Sequence, residues 1–180
     1  MDTFSRLHEG LRQVLAHRTG WSELRAVQEK AYEAASGGND VLVIAPTAGG
    51  NTEAALIPVV DGILKGGFPG VAALYLAPLK ALINNQEERF LNFCLPNGLE
   101  VLKWHGDVPK GDRAWKDNEP PHILMITPES LEVLLMEKEL SSGLSNLRYL
   151  IIDELHAFVE SERGVQMRVL LDRLDRPHLL

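Results

Sequence analysis

The sequence predicts an α/β fold, a parallel sheet flanked by helices in a three-layer α/β/α arrangement. Three observations predict it. Five short apolar runs, at 41–44, 71–77, 99–104, 122–126 and 147–152, alternate with longer segments of helical periodicity. The runs are predominantly apolar rather than strictly alternating, as strands buried on both faces are. Each run is followed at once by polar or turn-forming residues, at the strand ends where open α/β sheets hold their ligands.

The elements follow in order. Residues 2–20 read as an amphipathic helix: Phe4, Leu7, Leu11, Val14 and Leu15 fall at helical spacing, Asp2 or Thr3 caps the start and Gly20 ends it. This is an N-terminal helical extension, 1–20. A second helix is expected over 23–35, and Gly37-Gly38-Asn39-Asp40 turns the chain into the first strand, Val41–Ile44. Pro46 stops that strand. A helix over 52–65 and a strand over 71–77, ended by Pro78, come next. A helix over 79–94 precedes the strand over 99–104. Residues 108–121 are polar, with three prolines, and read as loop or a short helix. The strand over 122–126, a helix over 129–140, the strand over 147–152 and a helical stretch over 157–174, with a soft spot at Gly164, complete the pattern. No repeat, low-complexity tract or internal boundary interrupts it, so 1–180 reads as a single domain.

Composition sets outer bounds. A chain of 180 residues with 45% hydrophobic and 24% charged content suits one globular domain with a sizeable core. The longest apolar runs are far too short to span a membrane, and the N-terminus lacks the apolar core of a signal peptide. One cysteine, Cys94, excludes an internal disulfide and fits a reducing compartment, so a cytoplasmic protein without membrane partners is expected. The net charge of −7 argues against a general electrostatic grip on nucleic acid and leaves room for a local one.

The richest stretch is Val41–Ala55. An apolar run, the small turn-prone Thr47-Ala48-Gly49-Gly50 and an Ala-rich helix starting near Thr52 have the layout of a phosphate-binding loop. Such a loop turns backbone N–H groups inward, and the helix behind it adds partial positive charge. The general pattern G-x-x-x-x-G-K-[ST] is met imperfectly: Ala45 stands at the first Gly, and Asn51 stands at the Lys. From the loop alone, a phosphate site and a ligand-free strand–turn–helix are equally compatible with the sequence. Asp153-Glu154, directly after the last apolar run, sharpens the choice. An Asp there can hold a phosphate-bridging Mg²⁺ together with the Thr52 hydroxyl, and the Glu can activate water as a general base. The plainer reading of the pair is a helix N-cap.

Together the loop, Ala77-Pro-Leu-Lys-Ala-Leu82, Thr127-Pro-Glu-Ser-Leu131 and Asp153-Glu-Leu-His156 resemble superfamily 2 DEAD/DEAH-box helicases, in their Lhr-like branch. The resemblance runs from about Leu24 to Leu174 in the family's order, and that family's loop begins with Ala. It implies a RecA-like P-loop NTPase domain, the first of two in such a chain, with ATP and Mg²⁺ as cofactors and DNA or RNA as partner. It implies roles residue by residue. Gln28 matches the adenine-reading glutamine, which by itself would be a solvated helix Gln. Thr47, Ala48, Gly49, Gly50, Asn51 and Thr52 match the phosphate loop. Thr52 and Asp153 would hold the metal, Asp153 and Glu154 would be catalytic, and His156 would couple nucleotide state to the domain interface. Pro78, Leu79 and Lys80, with Thr127, Pro128 and Glu129, match motifs that line the nucleic-acid track through backbone contacts rather than base readout. Trp104-His105-Gly106-Asp107 resembles a further loop of the branch, its Trp expected to pack. Arg163-Gly164 matches a position to which no task is assigned.

Two departures bear on activity. Asn51 removes the point charge that the motif lysine places against the β and γ phosphates. The second RecA-like domain, with its arginine fingers, is absent from these 180 residues. The expectation is therefore a motor domain that is inactive alone. The alternative is a non-catalytic, degenerate P-loop module binding nucleic acid or a protein partner.

Overall fold

The structure is a computed structural model that describes residues 2–44, 46, 49–108, 115, 119–159, 161–174 and 178–179, the side chains of Glu139, His178 and Leu179 apart. Its centre is a parallel sheet of β1 (Ala73–Leu76), β2 (Val101–Trp104), β3 (Ile123–Ile126), β4 (Tyr149–Ile152) and the two-residue β5 (His178–Leu179), in the order β2-β3-β1-β4-β5. The ladders are in step: Leu76 stands opposite both Ile126 and Ile152, and Ile126 opposite Trp104. Four strands therefore end on one level.

Alternation along the strands divides the core in two. Ala73, Tyr75, Ile123, Met125 and Ile151 face one way, against α3 (Ala26–Ser36), α4 (Asn51–Gly66) and α5 (Lys80–Cys94). Leu74, Leu76, Leu124, Ile126 and Leu150 face the other, against α6 (Pro128–Met136) and α8 (Glu162–Arg173). The three-layer α/β/α arrangement follows from strands apolar on both faces. No helix among the described residues is long and apolar enough to cross a membrane.

Several expected elements come out differently. Val41–Ile44 lies outside the sheet: Leu42 is 66% and Ile44 85% exposed. A four-residue apolar run is a strand only when a neighbour pairs its backbone, and none of the five strands does so here. The expected helix over 2–20 is broken into α1 (Thr3–Arg6), α2 (Glu9–Val14) and a wide final turn, Leu15–Thr19. The break at Leu7–His8 has a cause. The His8 N–H leaves the helix to donate to the Asp61 carboxylate at 2.6 Å, and the His8 ring instead accepts from the Gly10 N–H. The helix expected from 23 begins at Ala26, and the one over 129–140 is split at Glu137 into α6 and α7 (Lys138–Ser141). The stretch after Ala157 turns helical only at Glu162, where Ser161 Oγ caps the Gly164 N–H at 3.1 Å. Gly164 is required by close approach, since a Cβ there would lie 1.9 Å from the Phe158 carbonyl oxygen. Most of the expected loop over 108–121 lies outside the described residues.

The N-terminal helices are fastened to α4 through Asp61, which is only 3% exposed. Its carboxylate accepts from the His8 N–H, the Tyr32 hydroxyl at 2.9 Å and the Lys65 ammonium at 2.7 Å. Lys65 also donates to the Arg6 carbonyl at 2.8 Å. Replacing Asp61 with Ala removes the shared acceptor of the His8 N–H, the buried Tyr32 hydroxyl and the half-exposed Lys65 ammonium. It should cost about 2–4 kcal/mol of unfolding free energy and loosen residues 3–14 in hydrogen exchange. Unchanged exchange there would show that the extension is held by apolar packing alone.

Candidate nucleotide site and nucleic-acid groove

The predicted site residues fall into two groups, one comprising Gln28 of α3, the start of α4 and the residues after β4, the other following β1 and β3. The first is built around the start of α4. Gly50, at φ 88°, caps this helix in a left-handed conformation that suits glycine, and Asn51 and Thr52 open the helix. The loop residues Thr47 and Ala48, with Ala45, lie outside the described residues. Gln28, in the first turn of α3, is fully buried. The reading of a solvated helix Gln is thereby corrected: its Oε1 accepts from the Arg25 N–H at 2.9 Å, a helix-capping contact. Its Nε2 is enclosed without a hydrogen-bond partner and lies 3.0 Å from where a Cβ on Gly50 would be. A buried amide with an unused donor is costly, and here it stands against the glycine that opens α4.

Asp153 and Glu154 follow β4. The Asp153 N–H continues the ladder to the Leu76 carbonyl at 2.8 Å. The carboxylate is oriented on both oxygens: Oδ1 accepts from the Glu154 N–H at 3.0 Å, and Oδ2 accepts from the Tyr75 hydroxyl. Burial first, then the charges of Asp153 and Glu154, push the Tyr75 hydroxyl above the ordinary tyrosine range, so it acts as a donor. Glu154 has φ 50°, the one non-glycine residue in the left-handed region among the described residues. Its side chain reaches the His156 ring, Nδ1 to Oε2 at 3.3 Å, and His156 is largely exposed. Among the described residues no cluster of three or more His, Cys, Asp or Glu side chains could hold a metal unaided. The donors present fit a Mg²⁺ that brings its own waters and phosphates, which needs only one or two protein carboxylates.

The second group lines a groove of about 450 Å³. The ends of β1 and β3 supply Pro78, Leu79 and Lys80, and Thr127 and Glu129, respectively. Pro128 is buried beneath as the first residue of α6. Trp104, His105 and Arg163 also line the groove. His105, buried, bonds Asn84 at 3.2 Å. Trp104, 4% exposed, packs edge-on against Trp115, as expected for a packing residue. Arg163 Nε donates to Glu129 Oε1 at 3.0 Å, across the groove's rim from α8 to α6. Burial alone would raise the Glu129 pKa; its own backbone N–H at the helix start and the Arg163 guanidinium outweigh this and hold it below its ordinary value. Tyr75 and the Arg163–Glu129 pair left little sequence signal beyond an aromatic within an apolar strand and a charge 34 residues from its partner.

A parallel sheet of this order between two helical layers is the architecture of a RecA-like domain. The DEAD/DEAH box helicase profile matches residues 25–180, and the chain belongs to that family. Within it the chain falls in the Lhr-like branch. It is 34% identical over 76% of its length to the ATP-dependent helicase Lhr-Core of Methanothermobacter thermautotrophicus, and 33% identical over 88% to the Lhr helicase/probable uracil glycosylase of Mycolicibacterium smegmatis. The structure of Mycobacterium smegmatis helicase Lhr bound to ssDNA and AMP-PNP superposes with a TM-score of 0.85 at 30% identity, over 98% of this chain. The chain spans 18% and 11% of the two relatives and 24% of the chain in that structure.

The Glu129 environment makes a pH-dependent prediction. Its folded pKa lies below the ordinary value of 4.5, so its ion pair adds stability fully present above that pH and lost as pH falls through the folded value. NMR titration of the Glu129 carboxyl should give a midpoint below 4.5, and Arg163→Gln should move it upward. A midpoint insensitive to Arg163 would leave the helix N-terminus as the main cause.

Proposed function

We propose that this domain is the ATP-binding part of an ATP-dependent nucleic-acid helicase or translocase, binding ATP with Mg²⁺ at the start of α4 and a nucleic-acid strand along the adjoining groove. The observation that carries the reading is the Gln28 amide: buried, lacking a partner for its donor, and set against Gly50. An adenine edge offers an acceptor for that Nε2 and a donor for the remaining lone pair on Oε1. Backbone N–H groups at the start of α4 would meet the phosphates. Bound Mg²⁺ would neutralise phosphate charge, with Thr52 and Asp153 as its protein ligands. Tyr75 and the Glu154 N–H fix the Asp153 carboxylate for that task, and Glu154 would take the proton from an attacking water. The ssDNA and AMP-PNP in the Mycobacterium smegmatis Lhr structure support the same pair of ligands here.

Asn51 favours a second reading, a domain that binds without hydrolysis. A short neutral amide at the first residue of α4 cannot place positive charge against the γ phosphate. Calorimetric titration separates the two. Asn51→Lys should bind Mg-ATP about 10-fold or more tighter than the natural chain, with a smaller gain for Mg-ADP. If the natural chain already binds both nucleotides as tightly as the Lys variant, Asn51 does not silence the site. If neither folded protein binds, the nucleotide assignment fails.

A further inference from the structure

Among the described residues, the Lys and Arg side chains that line the groove, Lys80 and Arg163, are both held by carboxylates of the same domain. Lys80, the first residue of α5, pairs with Asp107 across 27 residues of sequence. Asp107 sits in the turn after β2 that the Val108 N–H closes onto the His105 carbonyl at 3.0 Å. Arg163 pairs with Glu129, in the first turn of α6. Neither pair is sequestered: the side chains are 57% and 61% exposed in the first, and 37% and 52% in the second. Exposed pairs of this kind add little stability and exchange readily. They nevertheless change what the groove offers an approaching anion. In a chain of net charge −7, each cation is met with a carboxylate beside it. A single small anion gains one cation, displaces one carboxylate and remains next to it. A strand whose phosphates are linked can displace both carboxylates in one binding event, because the second exchange is intramolecular.

We propose that Asp107 and Glu129 are specificity-determining residues: built-in competitors that hold Lys80 and Arg163 against isolated anions and release them to a polyanionic strand. This rests on the reading of the groove as a nucleic-acid track. It differs from that reading in giving Asp107 a task and in making Glu129, there a lining residue of the track, oppose binding.

The test is a double-mutant cycle on the full 180-residue chain, read by fluorescence anisotropy of labelled oligo(dT), with thermal melts to confirm that each variant is folded. Asp107→Asn should tighten oligo(dT) binding about three- to tenfold. In a Lys80→Ala background the same change should have almost no effect, because no cation remains to be freed. Glu129→Gln should behave likewise with respect to Arg163→Ala. Inorganic phosphate, followed by NMR of the Lys80 side chain, should perturb Asp107→Asn at concentrations that leave the natural chain unmoved. Equal tightening with and without Lys80 would overturn the proposal in favour of a general field effect. Binding by the natural chain that Asp107→Asn leaves unchanged or weakens would also overturn it, with the nucleic-acid reading intact. Absence of oligo(dT) binding in every folded variant would overturn both.

Discussion

The register of β4 on β1 is the constraint from which the rest of the site follows. Leu76 pairs with Ile152, and the next hydrogen bond runs from the Asp153 N–H to the Leu76 carbonyl. The ladder thus ends with Asp153 beside Tyr75, whose hydroxyl secures the carboxylate from below. The same Leu76 faces Ile126, and Ile126 faces Trp104. Residues after four strands consequently emerge on one rim: Ala77-Pro78, His105, Thr127-Pro128 and Asp153-Glu154. A slip of one residue in any ladder would turn its apolar side chains to the opposite face and dismantle both cores together.

That rim is where the proposed nucleic-acid groove of this acidic chain would lie. Among the described residues its cations Lys80 and Arg163 are locally compensated, and helix starts at Lys80 and Pro128 add partial positive charge without adding formal charge. The strain at Glu154 belongs to the same economy. A non-glycine residue at φ 50° costs about 1–3 kcal/mol, and it turns the chain so that Glu154 and His156 face solvent while Asp153 stays anchored.

Much of this was legible in the sequence, for physical reasons. The strands at Ala73–Leu76, Ile123–Ile126 and Tyr149–Ile152 are apolar on both faces, and Pro78 and Pro128 mark where two of them must stop. The residues expected to line the groove, Leu79, Lys80 and Glu129 among them, stand at or just after those stops. What escaped was set by partners distant in sequence. Val41–Ile44 has the composition of a buried strand, yet pairing is a property of the neighbour and not of the segment. The helix over 2–20 looked continuous because nothing near His8 reveals that Asp61, 53 residues on, would claim its N–H. For Gln28 the sequence offered a solvated helix Gln as the plainer alternative to a base-reading one, and its burial comes with α3 packing on α4, which the helix alone does not reveal. The ion pairs Lys80–Asp107 and Arg163–Glu129 join residues on different elements, which no local pattern records.

The central claim is that the buried Gln28 amide faces a bound base at the start of α4. The most direct measurement is the NMR signal of the Gln28 side-chain amide in the natural chain as Mg-ADP is added, with Mg-pyrophosphate as the control that has phosphates and no base. The account predicts a saturable shift of the Gln28 amide with Mg-ADP and none with Mg-pyrophosphate. A Gln28 amide that stays still while Gly50 and Thr52 respond to both ligands would contradict it, leaving a phosphate site with no role for the glutamine.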